Sequence, residues 1–239
     1  MNSPDPSPEP PPLEEQAYRR LRQALVEGTF APGDKLSLRR VATALGTSPM
    51  PVRAALRRLA AEQALDITAS GTAIVPRLTR AAFLELGEVR AALEPLALRL
   101  AVPQLDAATL EALEQLLAGH AGTRTGGKPE EFLRVDREFL FTLYRRAEAP
   151  LLLGMIESLW LRRGPLFWEA RWMLMSRPAE QAHRHAQILE ALRAGEGARA
   201  AEELETEIRD ATAFLLKEIR FAGDAGAGPE GLPLLRPNR

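Results

Sequence analysis

Between Ser37 and Arg58 the chain carries five arginines (Arg39, Arg40, Arg53, Arg57 and Arg58) and no acidic residue. A guanidinium is a planar fork that stays charged, and it pairs bidentately with phosphate oxygens or with O6 and N7 of guanine. Any one of them could simply solvate a helix surface. Five together, unrelieved by a carboxylate, suit a polyanion. Farther on, Arg90 and Glu94 lie one helical turn apart, the spacing of an i,i+4 ion pair. The chain has no cysteine, so disulfide and thiolate chemistry are excluded. No nucleophile elbow, P-loop or Rossmann fingerprint occurs.

The arginines must be presented by short helices. From Leu13 a helical period begins in which Ala17, Leu21, Ala24 and Leu25 share a face, and Gly28 ends it. Pro32-Gly33 is a turn signal, and Asp34-Lys35-Leu36 leads into a second helix capped by Ser37, with Val41 and Leu45 inward and Gly46 at its close. A third helix starts at Ser48. Pro49 takes its first position and Pro51 still lies in the first turn, where a missing N–H costs nothing. Val52, Ala55, Leu56 and Leu59 form its buried stripe. At about 100° per residue, Met50, Arg53, Ala54 and Arg57 face the other way. Ile67 to Val75, folded at Ser70-Gly71, reads as a two-stranded wing. Three helices and a hairpin predict a winged helix-turn-helix over residues 13–78, with the third helix placed for the DNA major groove.

Charge is distributed accordingly. Leu13 to Leu78 holds ten Lys+Arg against six Asp+Glu, a net of +4, which leaves −5 for the rest of a chain whose total is −1. A basic module on an acidic partner domain confines phosphate contact to one end of the molecule. Residues 1–12 contain six prolines, predict a disordered arm, and lack the apolar core of a signal peptide. Strictly apolar runs reach about four residues, as at Trp172 to Met175, so no membrane span is expected. A cytoplasmic location is the expectation.

Beyond Thr79 only helical signals are found. The expected helices are Thr79–Val102, Asp106–Ala118, Pro129–Ala147, Pro150–Trp172 with a break at Gly164-Pro165, Pro178–Ala194 and Gly197–Phe221. The expected breaks fall at Pro103, Gly119 to Gly127, Ala149-Pro150 and Gly195 to Gly197. Residues 79–221 therefore predict an all-helical bundle domain, and Gly- and Pro-rich residues 222–239 a disordered tail. Trp160, Phe167, Trp168 and Trp172 share one helical stretch and suit a core or a dimer interface. His120, before Ala121-Gly122, reads as a helix-terminal cap residue.

The run Pro32-Gly33-Asp34-Lys35-Leu36 followed by Ser48-Pro49-Met50-Pro51-Val52-Arg53-Ala54-Ala55-Leu56-Arg57-Arg58-Leu59 resembles the GntR family of bacterial transcription regulators. The resemblance implies that Arg39, Ser48, Pro49, Met50, Pro51 and Arg53 face DNA, with Gly71 at the wing tip. Its pattern usually has Arg where this chain has Pro49, which removes one contact. Arg53, early on the exposed side of the third helix, is placed to read guanine, while Arg39 and Arg57 suit phosphates or flanking bases.

Val89 to Glu94, Asp136 to Phe139 and His185 to Glu196, in that order, resemble the FadR-like branch with its FCD-type sensing domain. Many members of that branch hold a divalent metal with an Asp, a His four residues later and two further His. Here Asp136 and His185 match, Leu140 stands at the second position and Glu207 at the fourth. Asp136, His185 and Glu207 would leave an oxygen-rich half-site completed by water or a ligand carboxylate. The alternative is a site that has lost its metal, its groups hydrogen-bonding a ligand or each other. His183, two residues before His185 and about 200° round a helix, is placed on another face. The resemblance also implies that Arg90 points into the bundle and meets an effector carboxylate, against the plain pair with Glu94. The expected function is a dimeric, ligand-responsive repressor that binds a palindromic double-stranded operator and senses a small organic acid through Arg90, Asp136, His185 and Glu207. The rivals are a metal-dependent hydrolase using Asp136, His185 and Glu207, and a DNA-binding dimer without an effector.

Overall fold

A computed structural model describes residues 11–177 and 183–224, and they divide into two compact units. Residues 1–10 of the arm expected over 1–12, residues 178–182 of the helix expected from Pro178 and residues 225–239 of the tail expected over 222–239 lie outside the described residues. Ala222, at the start of that expected tail, is held by its amide, which donates to the Leu78 carbonyl at 2.9 Å.

The first unit contains the chain up to Pro76 together with residues 157–169. Its elements are α1 (Leu13–Val26), β1 (Lys35–Leu36), α2 (Leu38–Leu45), α3 (Pro49–Ala61), β2 (Asp66–Ile67) and β3 (Ala73–Ile74). Ser37 and Ser48 stand at the N-caps of α2 and α3, Pro49 occupies the first turn of α3, and Gly46 closes α2 at φ 67°, left-handed geometry that glycine adopts without strain. Leu21, Leu25, Val52, Ala55, Leu59 and Val75 form the core. The wing is a three-stranded antiparallel sheet in the order β1-β3-β2, with Leu36 opposite Ala73 and Ile67 opposite the same residue. The lead-in to the second helix is therefore a strand. Two residues are too few to show an alternation, and the buried Leu36 is held by pairing to β3.

The second unit comprises residues 77–156 and 170 onward. It is built from α4 (Arg80–Ala101), α5 (Ala107–Thr125), α6 (Pro129–Arg146), α7 (Pro150–Ser176, which the two units share), α8 (His185–Arg193) and α9 (Gly197–Glu218). Thr79 caps α4 by accepting from the Ala82 amide at 3.1 Å, and Asp106 caps α5 by accepting from the Thr109 amide at 2.7 Å. Helix α4 packs on α9 and α6, α5 on α6, and α8 on α9 and α5. A Cβ at Gly87 would lie 2.7 Å from Thr212 Cγ2, so glycine sets the approach of α4 to α9.

One expected break is shorter than expected and another is absent. Helix α5 runs through Gly119 and Gly122 to Thr125 and stops at Gly126. Helix α7 continues through Gly164-Pro165. Gly164 instead admits the end of α1: a Cβ there would collide with the Leu25 carbonyl and lie 2.9 Å from Val26 Cα. No helix among the described residues is long and apolar enough to cross a membrane.

Candidate nucleic-acid interface and buried polar centre

The five arginines of the first unit separate into two groups. Arg39, Arg40, Arg53 and Arg57 are exposed, and none has a side-chain hydrogen bond or ion pair among the described residues. Arg58 is a fastener instead. Its guanidinium lies 3.5 Å from the Tyr18 ring centre, pairs with Glu15 at 2.8 Å and Glu62 at 3.5 Å, and so ties α3 to α1. Met50 and Ser48 are exposed and Pro51 half-buried at the start of α3. Pro49 and Pro51 remove two of the amide donors that a helix N-terminus offers to a phosphate. The arginine side chains are thus the cationic groups that α3 offers to an anion. Gly71, at φ 80°, turns the wing, and its amide donates to the Thr68 carbonyl at 2.8 Å.

In the second unit, polar groups from four helices converge. Asp136 comes from α6, His185 opens α8, and Glu207 comes from α9. His120 comes from α5 and His183 from the residues just ahead of α8. His120 and Asp136 are each 5% exposed and His185 1%. Asp136 Oδ1 lies 3.1 Å from His183 Nδ1 and 3.4 Å from His185 Nε2; Glu207 Oε1 lies 3.4 Å from both of those nitrogens. The other Glu207 oxygen accepts the Arg184 backbone N–H at 2.6 Å. His185 stacks on Phe139 with ring centres 4.3 Å apart, and His120 on Phe132 at 4.2 Å. Leu140 is buried beside them.

The placements of His120 and His183 differ from the expectation. His120 is no cap: α5 continues five residues past it, and its ring is sealed inside the bundle. His183 shares the face of His185 because the chain is not helical there, so the 100° increment does not apply. The signal that could have found both is scarcity. The chain has three histidines, and all three meet here.

Charge in the centre is uneven. Burial and the neighbouring His183 push the His120 pKa down to about 3, leaving a neutral ring. Burial also disfavours a charged His183, but hydrogen bonds to Asp136 and Glu207 outweigh it and raise the pKa to about 9. Burial disfavours ionised Asp136, yet His183 and His185 hold it below the usual carboxylate range. Glu207 likewise stays ionised against its burial, through the charge of His185 and its contact with His183. A protonated His183 thus lies between two carboxylates.

Arg90 and Glu94 form a buried pair: Nε donates to Oε1 at 2.6 Å and Nη2 to Oε2 at 3.2 Å, while Tyr144 Oη donates to Glu94 Oε2 at 2.6 Å. Burial opposes the Arg90 charge, but Glu94 more than restores it. The tryptophans diverge: Trp160 is buried under the Arg163 guanidinium, 3.6 Å from its ring centre, whereas Trp172 is exposed.

The family model for bacterial regulatory proteins, gntR family, matches residues 13–74, and that for the FCD domain matches residues 85–210. The HTH-type transcriptional regulator McbR of Escherichia coli (strain K12) is 35% identical over 150 residues, covering 63% of this chain and 68% of McbR. The HTH-type transcriptional repressor RspR of the same organism is 28% identical over 148 residues, covering 62% of this chain and 65% of RspR. The solved structure of E. coli McbR/YncC superposes with a TM-score of 0.82 at 29% identity, over 87% of this chain and 99% of that one. With its arginine-bearing winged unit and its helical unit, the chain belongs to the GntR family of DNA-binding transcriptional regulators and carries a C-terminal FCD domain.

Proposed function

We propose that the protein is a cytoplasmic, ligand-responsive repressor that binds a two-fold symmetric operator as a homodimer and is released by a small organic acid. The observation that carries this reading is the set of four exposed guanidinium groups on α2 and α3 that have no partner among the described residues, joined in one chain to an FCD domain. Arg53 reads a base edge. Arg39, Arg57, Ser48, Met50, Pro51 and the Gly71 wing tip set the docking position. The name of RspR supports the sign of regulation.

The dimer reading is supported by α4, on which Val89, Leu96 and Leu100 are exposed large apolar residues at helical spacing, with half-buried Leu93 among them. Such a stripe suits the same helix of a second copy.

The sensing reading rests on the buried centre. Arg90 is matched by Glu94, so Asp136 and Glu207 need another cation before an anion can approach. A divalent ion is part of the proposal. The donor set fits one, since His120 Nε2, His183 Nε2 and both His185 nitrogens are buried without a hydrogen bond among the described residues. When bound, the ion supplies a positive pole for an effector carboxylate. Asp136, His185 and Glu207 border that pole.

The test is a gel-shift titration at fixed salt with DNA from the neighbourhood of the protein's own gene, with and without a library of small carboxylates. Retarded bands that a particular acid releases support the reading. Binding that no carboxylate alters would leave a DNA-binding dimer without an effector, and loss of the sensing claim.

A further inference from the structure

Every histidine of the chain lies in one buried cluster of the bundle. The ring centres of His120, His183 and His185 are 4.7 to 5.5 Å apart, and each ring lies near Asp136. One ligand atom from each of these four residues can be chosen so that all lie within 4.8 Å of one another. For a metal-free core this is an expensive arrangement, because buried ring nitrogens want partners and buried like charges repel. Four of those nitrogens have no hydrogen bond among the described residues.

We propose that His120 and His183 supply the two metal ligands that this chain lacks at Leu140 and Glu207, so that Asp136 and three imidazoles hold one divalent ion of borderline softness. This rests on the reading of the second unit as metal-binding and specifies its ligands. A tetrahedral site with bonds of about 2.0–2.1 Å has ligand-to-ligand edges of about 3.3 Å. Asp136 Oδ1 stands 3.1 Å from His183 Nδ1 and 3.4 Å from His185 Nε2, so two edges are already formed. His120 reaches the same point from α5, held by its stack on Phe132. Leu140 has no donor atom. Glu207 has one oxygen on the Arg184 amide, in the segment that carries His183 and His185, and acts as a positioning residue. Three nitrogens and one oxygen favour zinc, cobalt or nickel over magnesium or calcium.

The test uses the full chain, stripped with chelator and titrated with zinc against a competing chromophoric chelator, beside the variants His120→Gln, His183→Gln, Asp136→Asn and Glu207→Gln. The wild type should bind about one zinc per chain. His120→Gln and His183→Gln should each weaken zinc binding at least ~100-fold, more than Glu207→Gln, whose loss should be about 10–100-fold, as for an outer partner. Cobalt absorption of the wild type gives a readout that does not depend on variant folding: intense four-coordinate bands support the nitrogen-rich set, and weak octahedral bands overturn it. If His120→Gln and His183→Gln bind zinc like the wild type while Asp136→Asn does not, this ligand set is wrong although the unit binds metal. If the wild type takes up neither zinc, cobalt nor nickel, the metal reading itself fails.

Discussion

Two arginines five residues apart on α3 illustrate how the same side chain serves different ends. Arg53 is exposed and has no partner among the described residues, whereas Arg58 is stacked on Tyr18 and paired with Glu15. Arg53→Ala should cost about 1–3 kcal/mol of specific binding per half-site and leave the melting temperature unchanged. Arg58→Ala should do the reverse: a small loss of stability, since exposed pairs contribute little, with sequence preference retained. Gel-shift titrations at fixed salt with thermal melts separate the two, and unchanged operator affinity in Arg53→Ala would remove it from base reading. At the buried centre the expectation concerns pH. In the metal-free protein His183, facing Asp136 from α6, Glu207 from α9, His120 from α5 and His185 from α8, has a pKa raised from 6.5 to about 9. Its contribution to stability is full below pH 6.5 and lost as pH rises through 9. His120, lowered to about 3, takes no proton on the folded side, so stability falls as pH drops below 6.5. Metal-free melts should therefore show a maximum near pH 6.5–7. A profile that keeps rising to pH 9 would contradict the protonated His183.

At the scale of elements, glycine decides how closely helices approach. Gly164 lies mid-helix in α7, where intrinsic propensity disfavours it, yet a Cβ there would strike the Leu25 carbonyl at the end of α1. Gly164→Ala should raise the propensity of α7 and still destabilise, because overpacking costs about 1–3 kcal/mol, roughly 2–4 °C per kcal/mol in melting temperature for a chain of this size. A melt equal to or above that of wild type would show that α1 and α7 can separate at no cost. The apolar stripe of α4 allows a second test. Leu96 is exposed and mutation to Glu should leave secondary structure intact, but light scattering should report a monomer where the proposed assembly makes the wild type a dimer. A Leu96→Glu protein that remains dimeric would place the interface elsewhere.

For the whole molecule, the winged stretch carries a net positive charge and the rest of the chain a net negative one, so the proposed recognition of DNA falls to the basic one. A dimer doubles each half-site contact, so the loss of dimer in Leu96→Glu should weaken operator binding far more than non-specific binding. The salt dependence of the two should also differ, because a monomer releases fewer counterions. Under the proposed function, effector binding has to bias the placement of the two winged units by differential affinity for two arrangements of the dimer. Crosslinked dimers that bind operator equally with and without effector would indicate that release acts through dissociation instead.

Local physics made much of this legible in the sequence. Pro49 after Ser48, Gly46 after Leu45 and the stripe Val52, Ala55, Leu56 and Leu59 mark α2 and α3 and set Arg53 on the open face, because caps and period are properties of neighbouring residues. The pairing of Asp136 with His185 was legible from family pattern, and their rings and oxygens do meet. Only tertiary structure decided the rest. Whether Gly164-Pro165 breaks a helix depended on Leu25, well over a hundred residues away in the chain. Whether Lys35-Leu36 is a strand depended on β3. His120 and His183 entered the centre because α5 outlasts its glycines and because the chain before α8 leaves the helical path, and neither event has a local signature. Periodicity records which face a residue takes on its own helix, while contacts between helices far apart in sequence fix what that face meets.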